Sequence, residues 1–184
     1  MNTKLLAAAA ALALAGCNQT GPNGDPAMAK LADRIAVEDL MNDYYANFGG
    51  SANEDFAKYY TEDAVLDVNG LVYKGRKEIV GLYNTLGSTG ALPLGTFHML
   101  ITNPQIAVNG DQATAKFLWT GVMNTAIDDP PRFQEQGREY DLLKKQADGK
   151  WLITKRTVIA DSGLPEMFRK TYAPRKDYDI SKPD

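Results

Sequence analysis

The stretch "TFHMLITNPQIAVNGDQATAKFLWTGVM", residues 96–123, decides the fold. Two runs rich in Ile, Val, Phe, Trp and Thr flank Asn109-Gly110-Asp111, and an Asn-Gly step between such runs is the signal for a tight hairpin. The sequence therefore predicts strands over 96–108 and 112–123, paired antiparallel. Downstream, "DDPPRF" (128–133) reads as a loop. After it, "QEQGREYDLLKKQ" and "WLITKRTVIA" flank "ADG" as a second long hairpin that turns at Asp148-Gly149.

Upstream the apolar period changes to that of helices. In "LADRIAVEDLMNDYYANF" (31–48) apolar residues fall at 31, 35, 37, 40, 41, 44, 45 and 48, a wide helical stripe. "GGSANEDFAKYY" (49–60) breaks that helix and starts a short second one with Phe56, Tyr59 and Tyr60 inward. "EDAVLDVNGLVYKG" (62–75) is a hairpin about Asn69-Gly70, and "GRKEIVGLYNTL" (75–86) is a third helix with Ile79, Leu82, Tyr83 and Leu86 inward. Helices first and long strands last predict an α+β domain, about three helices packed on one face of a curved, mostly antiparallel sheet.

The beginning of the chain addresses location. "MNTKLLAAAAALALAGC" has one positive charge, Lys4, then an apolar run over 5–14, then Ala15 and Gly16 before Cys17. This is the pattern of an export signal, and the run is shorter than the roughly 20 residues a spanning helix needs. Leu14-Ala15-Gly16-Cys17 also has the form of a bacterial lipobox, so the sequence predicts a leader over 1–16 and a lipid on the Cys17 thiol. Asn18 after the cysteine points to the outer membrane, facing the periplasm. A flexible tether over 17–29, a domain over 30–162 and a tail over 163–184 complete the predicted organisation. Cys17 is the only cysteine, which excludes an intrachain disulfide and disfavours a thiol nucleophile. Loss of Lys4 with the leader leaves 19 basic against 23 acidic residues, a formal charge of −4. With no basic patch or RNA-binding motif, nucleic acid is not an expected partner.

The order of elements resembles that of the nuclear transport factor 2-like superfamily, and within it the SnoaL-like domains, the branch that includes scytalone dehydratase. The phrases that carry the likeness are "IAVEDLMNDYYANF", "YYTEDAVLDV", "YKGRKEIVGLY", "FHMLITNPQIAVNGDQATA" and "GKWLITKRTV", which together span residues 31–161. The resemblance implies a cone-shaped fold enclosing a deep apolar pocket, with a few polar groups at its base. It also implies that His98, the only histidine, faces that pocket and takes part in proton transfer through "FHMLI". The chain departs from the dehydratase pattern in having "NFGG" where a Tyr-Asp pair stands in that family, and "FLWTG" near the place of a second histidine.

The candidate catalytic set is His98 with Tyr45 and Glu139, since an imidazole can remove and return a proton near neutrality, and the group that orients it is to be sought among Asp43, Tyr44, Tyr45, Tyr60, Glu139 and Asp141. The candidate ligand pocket is Tyr44, Phe48, Phe56, Tyr60, Leu100 and Trp119. Each has a plainer reading: His98 as a core histidine with one hydrogen bond, the aromatics as core, Asp67 as a solvent-side carboxylate. Arg138, Glu139 and Arg156 read most simply as cross-strand surface pairs. Both faces of the 97–102 strand are apolar, so a homodimer through the sheet is expected. No Gly-x-Ser-x-Gly elbow, phosphate loop, dinucleotide fingerprint or metal-ligand spacing is present in the sequence, so no cofactor or metal is expected. Two classes of function remain open. One is a lipid-anchored module that binds a small hydrophobic molecule; the other is a cofactor-independent lyase or isomerase that uses His98 as general base.

Overall fold

The long hairpin at 96–123 forms, and the rest of the chain is arranged around it. The computed structural model describes residues 25–48, 53–88, 96–163 and Phe168. In chain order the elements are helix α1 (Pro26–Ala46), a 3-10 segment (Asn53–Tyr59), strands β1 (Tyr60–Val68) and β2 (Leu71–Lys74), helix α2 (Arg76–Ser88), and strands β3 (Thr96–Asn109), β4 (Gln112–Asn124), β5 (Arg132–Lys145) and β6 (Trp151–Ser162). The six strands form one sheet in the order β2-β1-β6-β5-β4-β3. All pairs are antiparallel except β1 with β6, which run parallel, so the sheet is mixed. The expected leader and lipid-bearing Cys17, the glycine-rich stretch before β3 and the tail other than Phe168 lie outside the described residues.

Local chemistry accounts for the turns. Asn69 and Gly70 both have positive φ, 52° and 90°, the pair of left-handed conformations that a two-residue hairpin turn demands. Asp67 accepts the Gly70 N–H at 2.7 Å, so this carboxylate caps the turn. The middle helix is a 3-10 segment, the form short helical pieces adopt. Helix α1 begins at Pro26, inside the stretch expected to be tether. Asp25 accepts the Ala27 N–H at 2.9 Å as N-cap, and Pro26 occupies the first turn, where no N–H is needed. The extra turns are exposed: Met28 and Leu31 face solvent, and burial begins at Val37. Asp33 ties this outer half of α1 to the β5–β6 hairpin by accepting from Lys145 Nζ at 2.6 Å and Trp151 Nε1 at 3.2 Å.

The core lies between the helices and one face of the sheet. Val37, Met41, Tyr44 and Tyr45 of α1, Phe56 and Tyr59 of the 3-10 segment, and Ile79, Leu82, Tyr83 and Leu86 of α2 meet Leu66, Phe117, Leu143 and Ile153 of the strands. Phe168 returns from the tail to join them. Pro104, which cannot donate to a ladder, sits at a bulge in β3, an edge strand, where that loss is tolerated.

One close approach controls the helix-facing surface of the sheet. A Cβ added at Gly137 would lie 2.3 Å from the Ile159 carbonyl oxygen and 2.5 Å from Trp119 Cζ2. Gly137→Ala is therefore expected to destabilise by about 1–3 kcal/mol or more, because a main-chain carbonyl cannot step aside. At Gly81 on α2 a Cβ meets nothing within 4 Å, and Gly81→Ala is expected to stabilise by about 0.5–1 kcal/mol. Urea denaturation of the two variants checks both signs.

Candidate functional site

Arg156 of β6 is fully buried, and the site grows outward from its guanidinium. Antiparallel register places Asp141 of β5 directly opposite it, and Glu139 two residues along on the same face. Arg156 Nε donates to Asp141 Oδ1 at 2.9 Å, and Nη2 lies 3.0 Å from Glu139 Oε1. The cation stacks on Tyr44 at 3.7 Å from the ring centre, with Tyr45 and Tyr60 within 6 Å, close enough for the ring faces to attract it. Tyr45 donates its hydroxyl to Glu139 Oε2. Tyr44 and Tyr83 share a hydroxyl-hydroxyl bond, and Tyr60 donates to Tyr44 at 3.3 Å.

One guanidinium here faces two carboxyls. Burial holds the Glu139 carboxyl well above the ordinary carboxylate range, with Arg156 opposing that shift and Asp141 adding to it. Burial also raises Tyr44, Tyr45, Tyr60 and Tyr83 above the usual phenol value, so their hydroxyls stay neutral hydrogen-bonding groups.

The structure brings together most of the expected residues but not the expected base. Tyr45 and Glu139 are bonded to each other, and Tyr44 and Tyr60 belong to the same centre. Phe56 stacks on Tyr83 at 4.5 Å, and Phe48, at the end of α1, packs against Tyr44, Tyr45, Phe56 and Phe97. Trp119 is buried on the inner face of β4 beside Gly137. His98 and Leu100 are exposed on the opposite face of β3. Strand alternation puts Phe97, Met99 and Ile101 toward the helices, and His98, Leu100 and Thr102 must then point away. His98 therefore stands apart from Tyr45 and Glu139, paired in register with Val122 near the exposed Phe133. In the single chain this outer face also leaves Leu100 and Leu118 open to solvent.

Three features escaped the sequence reading. Glu139 and Arg156 are core residues and not surface pairs; Arg138 does pair at the surface, with Asp161 at 3.1 Å. The cause is a bulge: Leu142 pairs with Lys155 and Leu143 with Ile153, so Thr154 is an extra residue in β6. It inverts the alternation set by Trp151 and Ile153 and carries Arg156 inward. A second bulge, at Gln134 of β5, sets Glu135 on the inner face opposite Gly121. Glu135 fills the space a side chain at Gly121 would need: a Cβ there would lie 2.7 Å from its Cγ and 2.8 Å from the Phe97 ring. Among the described residues no hydrogen bond or ion pair reaches its carboxyl, and burial pushes that carboxyl up to about 7.

The third feature is a pair of buried polar atoms on this face, Trp119 Nε1 and Glu139 Oε1, without hydrogen-bond partners among the described residues. Glu139 Oε1 has the Arg156 charge 3.0 Å away, whereas Trp119 Nε1 has no recorded partner. No group of three metal-ligating side chains occurs among the described residues. An open groove of about 540 Å³ runs between β2 and α2, lined by residues such as Val72, Tyr73 and Glu78. It is remote from this chemistry, and its one carboxylate, Glu78, already accepts the Lys74 N–H at 2.7 Å.

Comparison with known proteins agrees with this architecture. The family model for the SnoaL-like domain matches residues 29–157. Among solved structures, a variant of Rv3472, a protein of unknown function from Mycobacterium tuberculosis, superimposes with a TM-score of 0.64 at 23% identity, covering 74% of this chain and 76% of that one. A proposed scytalone dehydratase from Novosphingobium aromaticivorans gives 0.62 at 17% identity, over 86% of this chain and 99% of that one. ActVI-ORFA from Streptomyces coelicolor gives 0.62 at 17% identity, over 71% and 98%. At these identities the likeness is one of fold. None of the curated proteins matches the chain.

The raised Glu135 carboxyl has a measurable signature. Between pH 4.5 and about 7 the folded chain keeps a proton there that the unfolded chain has lost, so stability declines as pH rises through this window. Glu135→Gln removes that component. The variant should match the parent near pH 4 and exceed it by up to about 3 kcal/mol at pH 8, measured by chemical denaturation across pH.

Proposed function

The chain belongs to the SnoaL-like domain family, and from that premise we propose that it binds a small, largely apolar molecule against the inner face of β3–β5, beside the Arg156 centre. The observation that carries the reading is the Trp119 N–H, a buried donor without a hydrogen-bond partner among the described residues, on the same face as the apolar side chains of Phe97, Met99 and Ile101. Folded proteins rarely leave such groups unpaired, and ligand sites combine apolar walls with a few polar atoms of this kind. Phe97, Met99 and Ile101 on the same face are only partly buried, which leaves apolar surface for a ligand to cover. The neighbouring Arg156 centre is internally paired and serves as a rigid wall. Proton transfer by His98 draws no support from its exposed position on the other face.

Binding is tested with a panel of aromatic ketones and phenols, followed by isothermal titration calorimetry. Trp119→Phe should weaken the best ligand about three- to tenfold, the worth of one hydrogen bond, while His98→Ala leaves affinity unchanged. Unaltered affinity in Trp119→Phe together with loss in His98→Ala would reject the inner-face site.

The leader supports a location to match. Lipid attachment at Cys17 would tether the domain in the cell envelope, at the outer membrane facing the periplasm. Cys17→Ser should then move the chain from the membrane to the soluble fraction; retention on the membrane would contradict the anchor.

A further inference from the structure

The first three turns of α1 carry their charged and apolar sides the opposite way round from a helix that only packs on a sheet. Val37, Met41 and Tyr44 belong to the buried stripe of this helix. Continued backward by steps of three and four, that stripe falls on Lys30, Asp33 and Arg34, the only charged residues of 26–36. Asp33 fixes the direction, because it reaches inward to accept from Lys145 Nζ and Trp151 Nε1. Every other position of 26–36 is Pro, Ala, Met, Leu or Ile, and all of them are exposed. Met28, Leu31 and Ile35, spaced by three and four, make one line of large apolar side chains on the outward side. An ordinary surface helix turns such a line toward the core. Past Ile35 the same line runs on as Glu38, Asp39 and Asn42, so the usual polarity returns within one turn.

We propose that this outward face of α1 lies on a lipid bilayer, with Met28, Leu31 and Ile35 in the boundary between headgroups and acyl chains. The assignment rests on the lipid anchor at Cys17 put forward above. Cys17 stands eight positions before Asp25, the N-cap of α1, and a stretch of that length spans no more than about 30 Å even when fully extended. A lipid on the Cys17 thiol therefore keeps the start of the apolar face within reach of the membrane surface. Three side chains bind a bilayer weakly by themselves, but so short a tether gives an effective concentration of about the millimolar range, at which weak contact suffices. No helix among the described residues is long and apolar enough to cross a membrane, so α1 would lie on the surface and not span it. The acidic residues Glu38, Asp39 and Asp43 begin where the apolar face ends, which holds negative charge back from the lipid phosphates. Through Asp33 and Lys145 the β5–β6 turn sits at the same end of the domain, so docking would also fix the domain's orientation.

The test compares the full chain on isolated cell-envelope membranes with Cys17→Ser in solution, by brief hydroxyl-radical oxidation read residue by residue with mass spectrometry. Met28, Leu31 and Ile35 should oxidise severalfold more slowly in the membrane-bound chain. Ile127, exposed between β4 and β5 at the far end of β5 from Lys145, should oxidise alike in both. Ile35→Asp, which puts a charge into the face at an exposed position, should leave the chain in the membrane fraction and return Met28 and Leu31 to the rate of soluble Cys17→Ser. Equal rates in the membrane-bound and soluble chains would overturn the docking face and leave the anchor standing. Slow oxidation in soluble Cys17→Ser that dilution relieves would place a second copy of the chain on the face, and would overturn the proposal too. Retention of Cys17→Ser on the membrane until Ile35→Asp is added would remove the anchor and uphold the docking face. A parent chain found in the soluble fraction would overturn both.

Discussion

A guanidinium sealed from water at the centre of the fold constrains everything packed around it. The effective cost of burying an unpaired ion is several kcal/mol, and it is offset only when opposite charges and hydrogen-bonding groups close around the ion. For Arg156 those partners come from separate parts of the chain. Asp141 and Glu139 arrive through the β5–β6 register, Tyr44, Tyr45 and Met41 from α1, and Tyr60 from the start of β1. Helix α1 must therefore lie across the sheet with one particular face downward, and β1 must run beside β6. The tyrosine cluster serves twice, as apolar bulk for the core and as ring faces and hydroxyls for the cation.

Such a centre is a poor place for chemistry but a good one for rigidity. Its charges are engaged with one another and its hydroxyls stay neutral. The less satisfied half of the same face, over β3–β5, has an indole N–H without a recorded partner and a carboxyl near 7. A firm, polar-cored wall beside a half-covered apolar surface is a division of labour suited to ligand binding, where the groups that orient a ligand must themselves be held still.

Much of this was legible in the sequence wherever the information is local. Asn69-Gly70 announces a hairpin because few other residue pairs accept positive φ twice, and Ile79, Leu82, Tyr83 and Leu86 show the inner face of α2 by spacing alone. The site was harder, for two physical reasons. Both faces of β3 are apolar, so alternation could not say whether His98 or its neighbours face inward; packing against the helices decides that. Arg156 and Glu135 depend on bulges at Thr154 and Gln134, single extra residues that no local composition marks. Tyr45 and Glu139 each entered the candidate set as a possible orienting group for His98, and they meet each other instead because the helical stripe turns Tyr45 inward and β5 turns Glu139 toward it.

The bulge at Thr154 also makes β6 behave like a message with a shifted reading frame. Upstream of it, odd-numbered positions face the core; just past it, the even-numbered Arg156 does. A ladder that kept every residue and ironed the bulge flat would turn Arg156 outward and leave two carboxyls without their cation, whereas loss of Thr154 itself would leave Lys155 opposite Leu142 and Arg156 opposite Asp141. Substitutions along β6 can be absorbed one side chain at a time, but a change of length away from the bulge would act on every downstream residue at once. The strand therefore has one point, Thr154, at which its length can change without altering which residues face the core.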